Sequence, residues 1–341
     1  YTHCEDRRGS NFMPRRAFCC ILIALVLAGS TAAKASPSLV FEPYNGTVFY
    51  AEDPDTLWFP ASLTKMMTAY VAFHALRNGE VKPDTPAVVT KNALSEPPTK
   101  LGLPVGTSIP LETAIRVIIV KSANDVAVMV AETVGGTEEA FIERMNEAAK
   151  RLGMTSTQFA NPHGLPNEQQ YTTARDLARL ARALIIEFPE YADIFATKSV
   201  SVGKRTLRSH NGMLRTFNGA DGMKTGFICH SGFNIVTSAT RDGRKLVAVV
   251  LGEKSTRVRN ARAAQLLENG FKRYFWKSLF GTSLNGLPLP AERDDRPVYL
   301  GKIICGPNYG AVRPELTPDL FRLETPITRL ASLPTPPNPL N

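Results

Sequence analysis

Ser62-Leu63-Thr64-Lys65 places a hydroxyl and a primary amine three residues apart. On a helix that spacing puts both on one face, about one turn apart. A serine hydroxyl is a weak nucleophile until a base takes its proton. A lysine becomes that base when burial and a second cation lower its pKa. Ser62 also opens the helix that follows Pro60, where free N–H groups and the dipole favour a developing oxyanion. The pattern alone is weak, because chance supplies about one Ser-x-x-Lys pair in a chain of this length. Ser201-Val202-Gly203-Lys204 is indeed a second match. Ser-x-Asn also occurs twice, as Ser122-Ala123-Asn124 and Ser209-His210-Asn211, whereas Lys224-Thr225-Gly226 is unrivalled. Spacing separates the candidates. Ser62, Ser122 and Lys224 are 60 and 102 residues apart, enough for three separate elements to meet at one cleft. Ser201 and Ser209 lie eight residues apart and shortly before Lys224, which is hairpin spacing, so they read as strand and turn residues.

The elements that must carry these groups can be read in outline. Leu39–Glu42 and Thr47–Tyr50 flank Tyr44-Asn45-Gly46, a hairpin signal. Ser62 to Phe73 lacks Gly and Pro and is apolar on most sides, predicting one buried helix. Leu111–Val120 and Asn124–Val134 predict helices, with Lys121-Ser122-Ala123 at the break between them. Glu138–Leu152 and Thr173–Phe188 predict two more. Met223–Phe227, Phe233–Ser238 and Lys245–Leu251 predict strands, the last two joined by a tight turn at Arg241–Arg244, and Ala261–Phe280 returns to helix. Strands thus bracket a helical middle, which implies an α+β fold with helices inserted between the first and last strands of one sheet.

Hydrophobic residues make up 43% and charged residues 21% of the 341, which excludes wholesale disorder, a coiled coil and a multi-span membrane protein. The net charge of +9 suits an anionic partner without saying which. Met13-Pro-Arg-Arg, an apolar run from Ala17 to Gly29 and the exit Ala33-Lys34-Ala35 read as a secretory signal peptide, with residues before Met13 as an upstream extension. The apolar run is shorter than the ~20 residues a membrane span needs. Removing residues 1–35 takes away five Lys/Arg and two acids, leaving +6 and a mature chain from Ser36. Export makes nucleic acid an unsuitable partner. Only Cys229 and Cys305 then remain, so at most one disulfide can form, and Cys229 reads as a buried thiol near the cleft. Residues 281–341 hold 11 of the 25 prolines and read as a poorly ordered tail with a short strand around Val298–Ile304. Phe271–Phe280 mixes basic and aromatic residues. The simpler reading packs its aromatics inward as the closing helix of the domain; the other lays them on a membrane surface.

Ser-x-x-Lys, Ser-x-Asn and Lys-Thr-Gly in this order resemble the penicillin-recognising serine enzymes. Pro60–Thr68, Ser122-Ala123-Asn124-Asp125, Met145-Asn146, Leu152-Gly153-Met154, Asn161-Pro162-His163-Gly164-Leu165 and Asp221–Gly226 together look like the low-molecular-weight penicillin-binding proteins, serine peptidase family S11. The resemblance covers about Ser38 to Phe280 and makes residues 36–280 the catalytic domain. It implies a β-lactamase-like antiparallel sheet with an inserted helical subdomain, and D-alanyl-D-alanine carboxypeptidase activity on peptidoglycan stem peptides in the periplasm. It further implies covalent capture of β-lactams and no cofactor or metal. By the same resemblance Ser62 is acylated, Lys65 is its base, and Ser122 relays a proton to the leaving D-alanine. Asn124 holds the substrate amide and Lys65, and Lys224 and Thr225 bind the terminal carboxylate. Gly226 lets substrate lie against the strand edge, and the N–H groups of Ser62 and Phe227 form the oxyanion hole. The best-studied relatives carry a second, all-β domain and an amphipathic anchor, where this sequence has its Pro-rich stretch.

Other readings compete. A D,D-endopeptidase would use the same residues on crosslinked peptides. A serine β-lactamase needs a deacylating glutamate, and Glu168, the only glutamate in the comparable loop, lacks the Glu-x-x-Leu-Asn pattern. A non-catalytic wall-binding protein does not need three complete motifs. His74, His210 and His230 are isolated, which disfavours a zinc peptidase, and Asn161-Pro162-His163-Gly164 reads as a structural turn.

Overall fold

The computed structural model describes residues 36–291 and 295–307; the leader, residues 1–35, and residues 308–341 lie outside the described residues. The hairpin forms as β1 (Ser38–Phe41) and β2 (Val48–Glu52). A 3-10 turn (Ala61–Thr64) leads into α1 (Lys65–Arg77), so the single helix expected from Ser62 is split at Lys65. A small hairpin of β3 (Pro86–Val88) and β4 (Ser108–Pro110) carries α2 (Lys91–Ser95) in its loop. The helical insert continues with α3 (Leu111–Val120), α4 (Asn124–Gly135), α5 (Glu138–Arg151), α6 (Ala174–Glu187) and α7 (Ala192–Ala196). Thr137 and Thr173 cap α5 and α6 by accepting the amides of Ala140 and Asp176. β5 (Ser199–Val202) and β6 (Arg205–Arg208) make the hairpin that holds Ser201, and α8 (Met213–Thr216) follows. β7 (Ala220–Ile228), β8 (Gly232–Arg241) and β9 (Arg244–Glu253) complete the main sheet, and α9 (Thr256–Lys272) and α10 (Tyr274–Phe280) close the domain.

The main sheet is antiparallel with strand order β2-β1-β9-β8-β7. Both faces are covered, and the period of two along β9 shows how. Leu246, Ala248 and Val250 join the cluster with Ala263, Leu266 and Leu267 of α9, while Val247, Val249 and Leu251 join the cluster of the helical insert. A strand buried on both faces reads as a continuous apolar run, which is what Leu246–Leu251 is. The helix α1 packs against α3, α4, α5 and α6, and Met66 to Phe73 are buried on every side. This central helix begins with the lysine of the first motif.

Three expectations need correction. The stretch after α10 does not hang free as far as residue 307. Buried Arg175 of α6 forks onto Asp55 at 2.7 and 2.6 Å and donates to the carbonyls of Leu284, Leu287 and Pro288. The amide of Val48 donates to Thr282, so this strap also lines the outer edge of β2. Second, a short helix α11 (Gly301–Cys305) stands where a strand was expected, and Cys305 is disulfide-bonded to Cys229. Local proline content misjudged a segment that is held by distant partners. Third, the aromatics of Phe271–Phe280 pack inward only in part: Phe271 and Tyr274 lie against the core, Tyr274 on Phe49 at 5.3 Å, but the rest of α10 does not. Phe275, Trp276, Leu279 and Phe280 are 59–79% exposed.

Candidate active site

The chain enters the site through Trp58-Phe59-Pro60. Asn234 of β8 donates to the carbonyl of Phe59 at 3.1 Å and accepts the amide of Gly252 at 2.9 Å, tying this entry to the sheet. Ala61 then adopts φ +49°, a left-handed conformation for a residue with a side chain, and Ser62 follows it, half-buried in the 3-10 turn.

Lys65 Nζ lies 3.2 Å from Ser62 Oγ, 2.8 Å from Asn124 Oδ1 and 2.6 Å from the backbone carbonyl of His163. The two shorter contacts are to oxygens that can only accept. A neutral amine has two N–H donors and one lone pair. With both donors committed to carbonyl oxygens, the lone pair is left for the one neighbour that can donate, the Ser62 hydroxyl. Lys65 is wholly buried, and that burial, with the charge of Lys224, holds its pKa well below 10.5 against the opposing pull of Glu96 and Asp125.

Ser122 sits at the break between α3 and α4 with φ +63°, and it receives a hydrogen bond from Lys224 Nζ at 2.9 Å. A left-handed serine costs roughly 1–2 kcal/mol, and such outliers collect at functional sites. Asn124 opens α4. Its side-chain amide donates to the carbonyl of Pro97, and its backbone amide to that of Thr99. Asp125 pins the same loop by accepting the amides of Leu101 and Gly102. Residues 97–102 therefore fix the orientation of Asn124, with its oxygen turned to Lys65.

Lys224 is buried in β7, and burial followed by the charge of Arg259 lowers its pKa to about 7. Its ammonium also donates to the carbonyl of Thr225 at 2.8 Å. Arg259, on α9, is itself buried and forms no ion pair among the described residues; it donates to Asn260 and, at 3.4 Å, to the carbonyl of Asn234. Burial brings its pKa down to about 10. His210 is drawn to about 4 by burial and by Lys224, Lys121, Arg259 and Lys65. Lys224 and Arg259 thus place two buried basic groups, neither in an ion pair among the described residues, behind Ser122, an arrangement that favours an anionic ligand.

β7 is an edge strand, with one side unpaired beside the 3-10 turn. Gly226 is where the two meet. A Cβ there would stand 3.1 Å from the carbonyl oxygen of Pro60 and 3.2 Å from the amides of Ser62 and Leu63. The missing side chain makes room for the Ser62 turn, a requirement separate from the substrate contact that the resemblance implies for Gly226. Phe227, next along the strand, is 43% exposed and stacks on Phe233 at 4.2 Å.

The structure brings Ser62, Lys65 and Asn124 into one hydrogen-bonded set and Ser122 with Lys224 into another; Thr225, Gly226 and Phe227 continue β7 beside them. The second Ser-x-x-Lys is split across the β5–β6 hairpin, where Ser201 Oγ lies 3.4 Å from Thr206 Oγ1. Sequence reasoning missed the carbonyl of His163, the Gly164 beside it, and Arg259. The Asn-Pro-His-Gly turn carried the first two in plain view, but a backbone acceptor leaves no mark of its type in a sequence. Among the described residues no group of three or more His, Cys, Asp or Glu is placed to hold a metal.

A family model for D-alanyl-D-alanine carboxypeptidases, peptidase S11, matches residues 26–255. The D-alanyl-D-alanine carboxypeptidase DacA of Haemophilus influenzae is 35% identical over 276 residues, covering 78% of this chain and 69% of the relative. Among solved structures, the D-alanyl-D-alanine carboxypeptidase DacD from Francisella tularensis superposes with a TM-score of 0.67 at 30% identity, covering 71% of each chain. The cefotaxime-bound penicillin-binding protein D2 from Listeria monocytogenes superposes with a TM-score of 0.64 at 28% identity, covering 70% of this chain and 97% of that one. With the serine, its buried amine and the two buried basic groups in place, the chain belongs to the S11 family of serine-type D-alanyl-D-alanine carboxypeptidases.

Proposed function

We propose that this chain removes the terminal D-alanine from peptidoglycan stem peptides through an acyl-enzyme on Ser62. The observation that carries this reading is the buried Lys65 amine, 3.2 Å from Ser62 Oγ and held by Asn124 Oδ1 and the His163 carbonyl, a geometry that in the neutral amine leaves its lone pair for the Ser62 hydroxyl. Ser62 Oγ attacks the carbonyl carbon of the penultimate D-alanine while Lys65 takes its proton. The amides of Ser62 and Phe227 receive the oxyanion. The proton that Lys65 took passes through the Ser122 hydroxyl to the departing D-alanine nitrogen, which leaves Lys65 neutral for the second step, and the bond from Lys224 orients that hydroxyl for the relay. Lys224 and Thr225 hold the terminal carboxylate, and Arg259 adds positive potential behind them. Asn124 orients both Lys65 and the substrate amide. A water then attacks the ester, gives a proton back through Lys65, and frees Ser62. A β-lactam follows the same first step, but its leaving nitrogen stays tethered in the acyl group and the ester persists.

The test is intact mass after exposure to penicillin, alongside D-alanine release from a D-Ala-D-Ala peptide. Native enzyme should gain one drug mass and release D-alanine; Ser62→Ala should do neither, and Ser201→Ala should do both. An adduct that persists in Ser62→Ala overturns the assignment.

We also propose that the enzyme works outside the cytoplasmic membrane, in peripheral contact with it through Phe271–Phe280. A disulfide between Cys229 and Cys305 suits an oxidising compartment. No helix among the described residues is long and apolar enough to cross a membrane. Exposed Phe275, Trp276, Leu279 and Phe280 stand among Lys272, Arg273 and Lys277, which fits an anionic lipid surface. Co-sedimentation with phosphatidylglycerol vesicles should drop several-fold in Phe275→Ser/Trp276→Ser. Equal sedimentation of the variant refutes the contact.

A further inference from the structure

The disulfide ends close to the reacting groups. Cys229 is the first residue after β7 and two past Phe227, and it is bonded to Cys305, 76 residues further along the chain. The β7–β8 turn it belongs to is held from several directions. Ser231 Oγ donates to the carbonyl of Gly232 at 2.8 Å, and Trp58 Nε1 donates to the carbonyl of Ser231 at 3.0 Å. The amide of Leu300 donates to the carbonyl of His230 at 2.9 Å. The His230 ring lies against Phe59 on one contact and Tyr299 on another, at 5.6 and 4.8 Å between centroids. The amide of Val298 donates to the carbonyl of Leu57 at 3.1 Å.

Residues 298–305 therefore touch two things at once. One is the run Leu57–Phe59 that leads into the Ser62 turn. The other is the turn that ends β7 just past Phe227. These two segments supply the pair of amides assigned to the oxyanion; Asn234 ties the first to β8 from the sheet side, and among the described residues no strand lies on the outer side of β7.

We propose that residues 298–305, locked by the Cys229–Cys305 bond, are a positioning clamp that sets the gap between the Ser62 and Phe227 amides. This rests on the Ser62 acyl-enzyme reading. The clamp touches neither Lys65 nor Lys224, so its loss slows acylation and leaves the pH dependence in place. Removing one oxyanion donor outright costs about 10²–10³-fold. Loosening both by a fraction of an ångström costs less, about tenfold.

The experiment compares the full chain with Cys229→Ser, with Cys305→Ser, and with native protein reduced by dithiothreitol. In that reduction the dithiol closes to its cyclic disulfide and the protein gains two thiols. Acylation by fluorescent penicillin is timed well below each sample's unfolding midpoint, and kcat and KM are measured on a D-Ala-D-Ala peptide. The expected result is a fall of about tenfold in kcat and in the acylation constant, KM within twofold, and an unshifted pH profile. Reoxidation of the reduced protein should restore the rate. A merely structural staple would lower the unfolding midpoint while leaving kcat and acylation native, and that outcome overturns the proposal. If the serine variants do not fold, the reduced native protein distinguishes the same two outcomes. Native enzyme that takes no penicillin and frees no D-alanine would refute the acyl-enzyme reading instead, a result distinct from an unaffected variant.

Discussion

Gly164→Ala tests how tightly the nucleophile turn is fitted to the loop behind it. Gly164 has φ +92°, and a Cβ there would stand 1.9 Å from the carbonyl oxygen of Ala61, 2.3 Å from its carbon and 2.9 Å from the amide of Ser62. Every one of these neighbours is backbone, so no side chain can swing away. Restoring a 3.0 Å contact requires the loop and the turn to part by about 1.1 Å in a close-packed interior. The same loop delivers the His163 carbonyl to Lys65 at 2.6 Å, so the base loses a partner as the nucleophile moves. A displacement of about 1 Å at reacting groups costs on the order of 10²-fold. The left-handed backbone adds roughly 1–2 kcal/mol of strain, a fall of roughly 2–8 °C in the unfolding midpoint. Stopped-flow acylation by a fluorescent penicillin measures the first quantity and thermal unfolding the second. Gly153→Ala is the control, since it shares a positive φ of +69° but has nothing within 4 Å. It should lose stability and keep its acylation rate. Acylation of Gly164→Ala within threefold of native, in a folded protein, would show that the turn and loop are not coupled as the geometry requires.

Three further outcomes follow from the same structure. Lys65→Arg keeps the charge but cannot give up a proton, so penicillin acylation should fall by about 10²–10⁴-fold with the circular dichroism unchanged; near-native acylation would place the base elsewhere. The kcat/KM profile should be bell-shaped: it rises as Lys65 loses its proton well below 10.5, and it falls as Lys224, held at about 7, gives up the ammonium that captures carboxylate. A profile still level at pH 10 would contradict this. Arg175→Leu leaves the Asp55 carboxylate buried and unpaired and frees three carbonyls of the strap, so urea unfolding should show a loss of about 3–5 kcal/mol, and a loss below about 1 kcal/mol would mean the pair adds nothing.

The helical insert and the three long strands were legible because their apolar periods match their geometry: α3 has the expected bounds and α4 starts at Asn124 as expected and runs one residue further, to Gly135. The three motifs were legible because acylation chemistry demands particular side chains. What stayed hidden is backbone. The His163 carbonyl, the clearance at Gly164 and the left-handed Ser122 are properties of chain path that residue type alone does not encode. The strap was misread for a related reason. Its prolines argue against regular structure, but its order, α11 included, comes from Arg175, Leu57 and Cys229, more than 70 residues away in sequence, which no local window reports. The exposed aromatics of α10 were expected inside because hydrophobic residues usually are, a rule that holds only while some neighbour is there to cover them.

The strap along β2 has a wider effect on how the sheet meets other molecules. A five-stranded open sheet has two rims, each a row of unspent backbone donors and acceptors that will pair with any extended chain. Here the Thr282 carbonyl and the Thr47–Ser283 bridge cover the start of the β2 rim from within the same polypeptide, while among the described residues no strand pairs with the β7 rim beside Ser62. Among the described residues the side left open to an added strand is therefore the one beside the proposed nucleophile. An extended peptide that paired with β7 would add a sixth strand, which would carry it past Ser62. A second copy pairing edge to edge on β7 would compete for the same rim, so a D-Ala-D-Ala peptide should disperse any oligomer built that way.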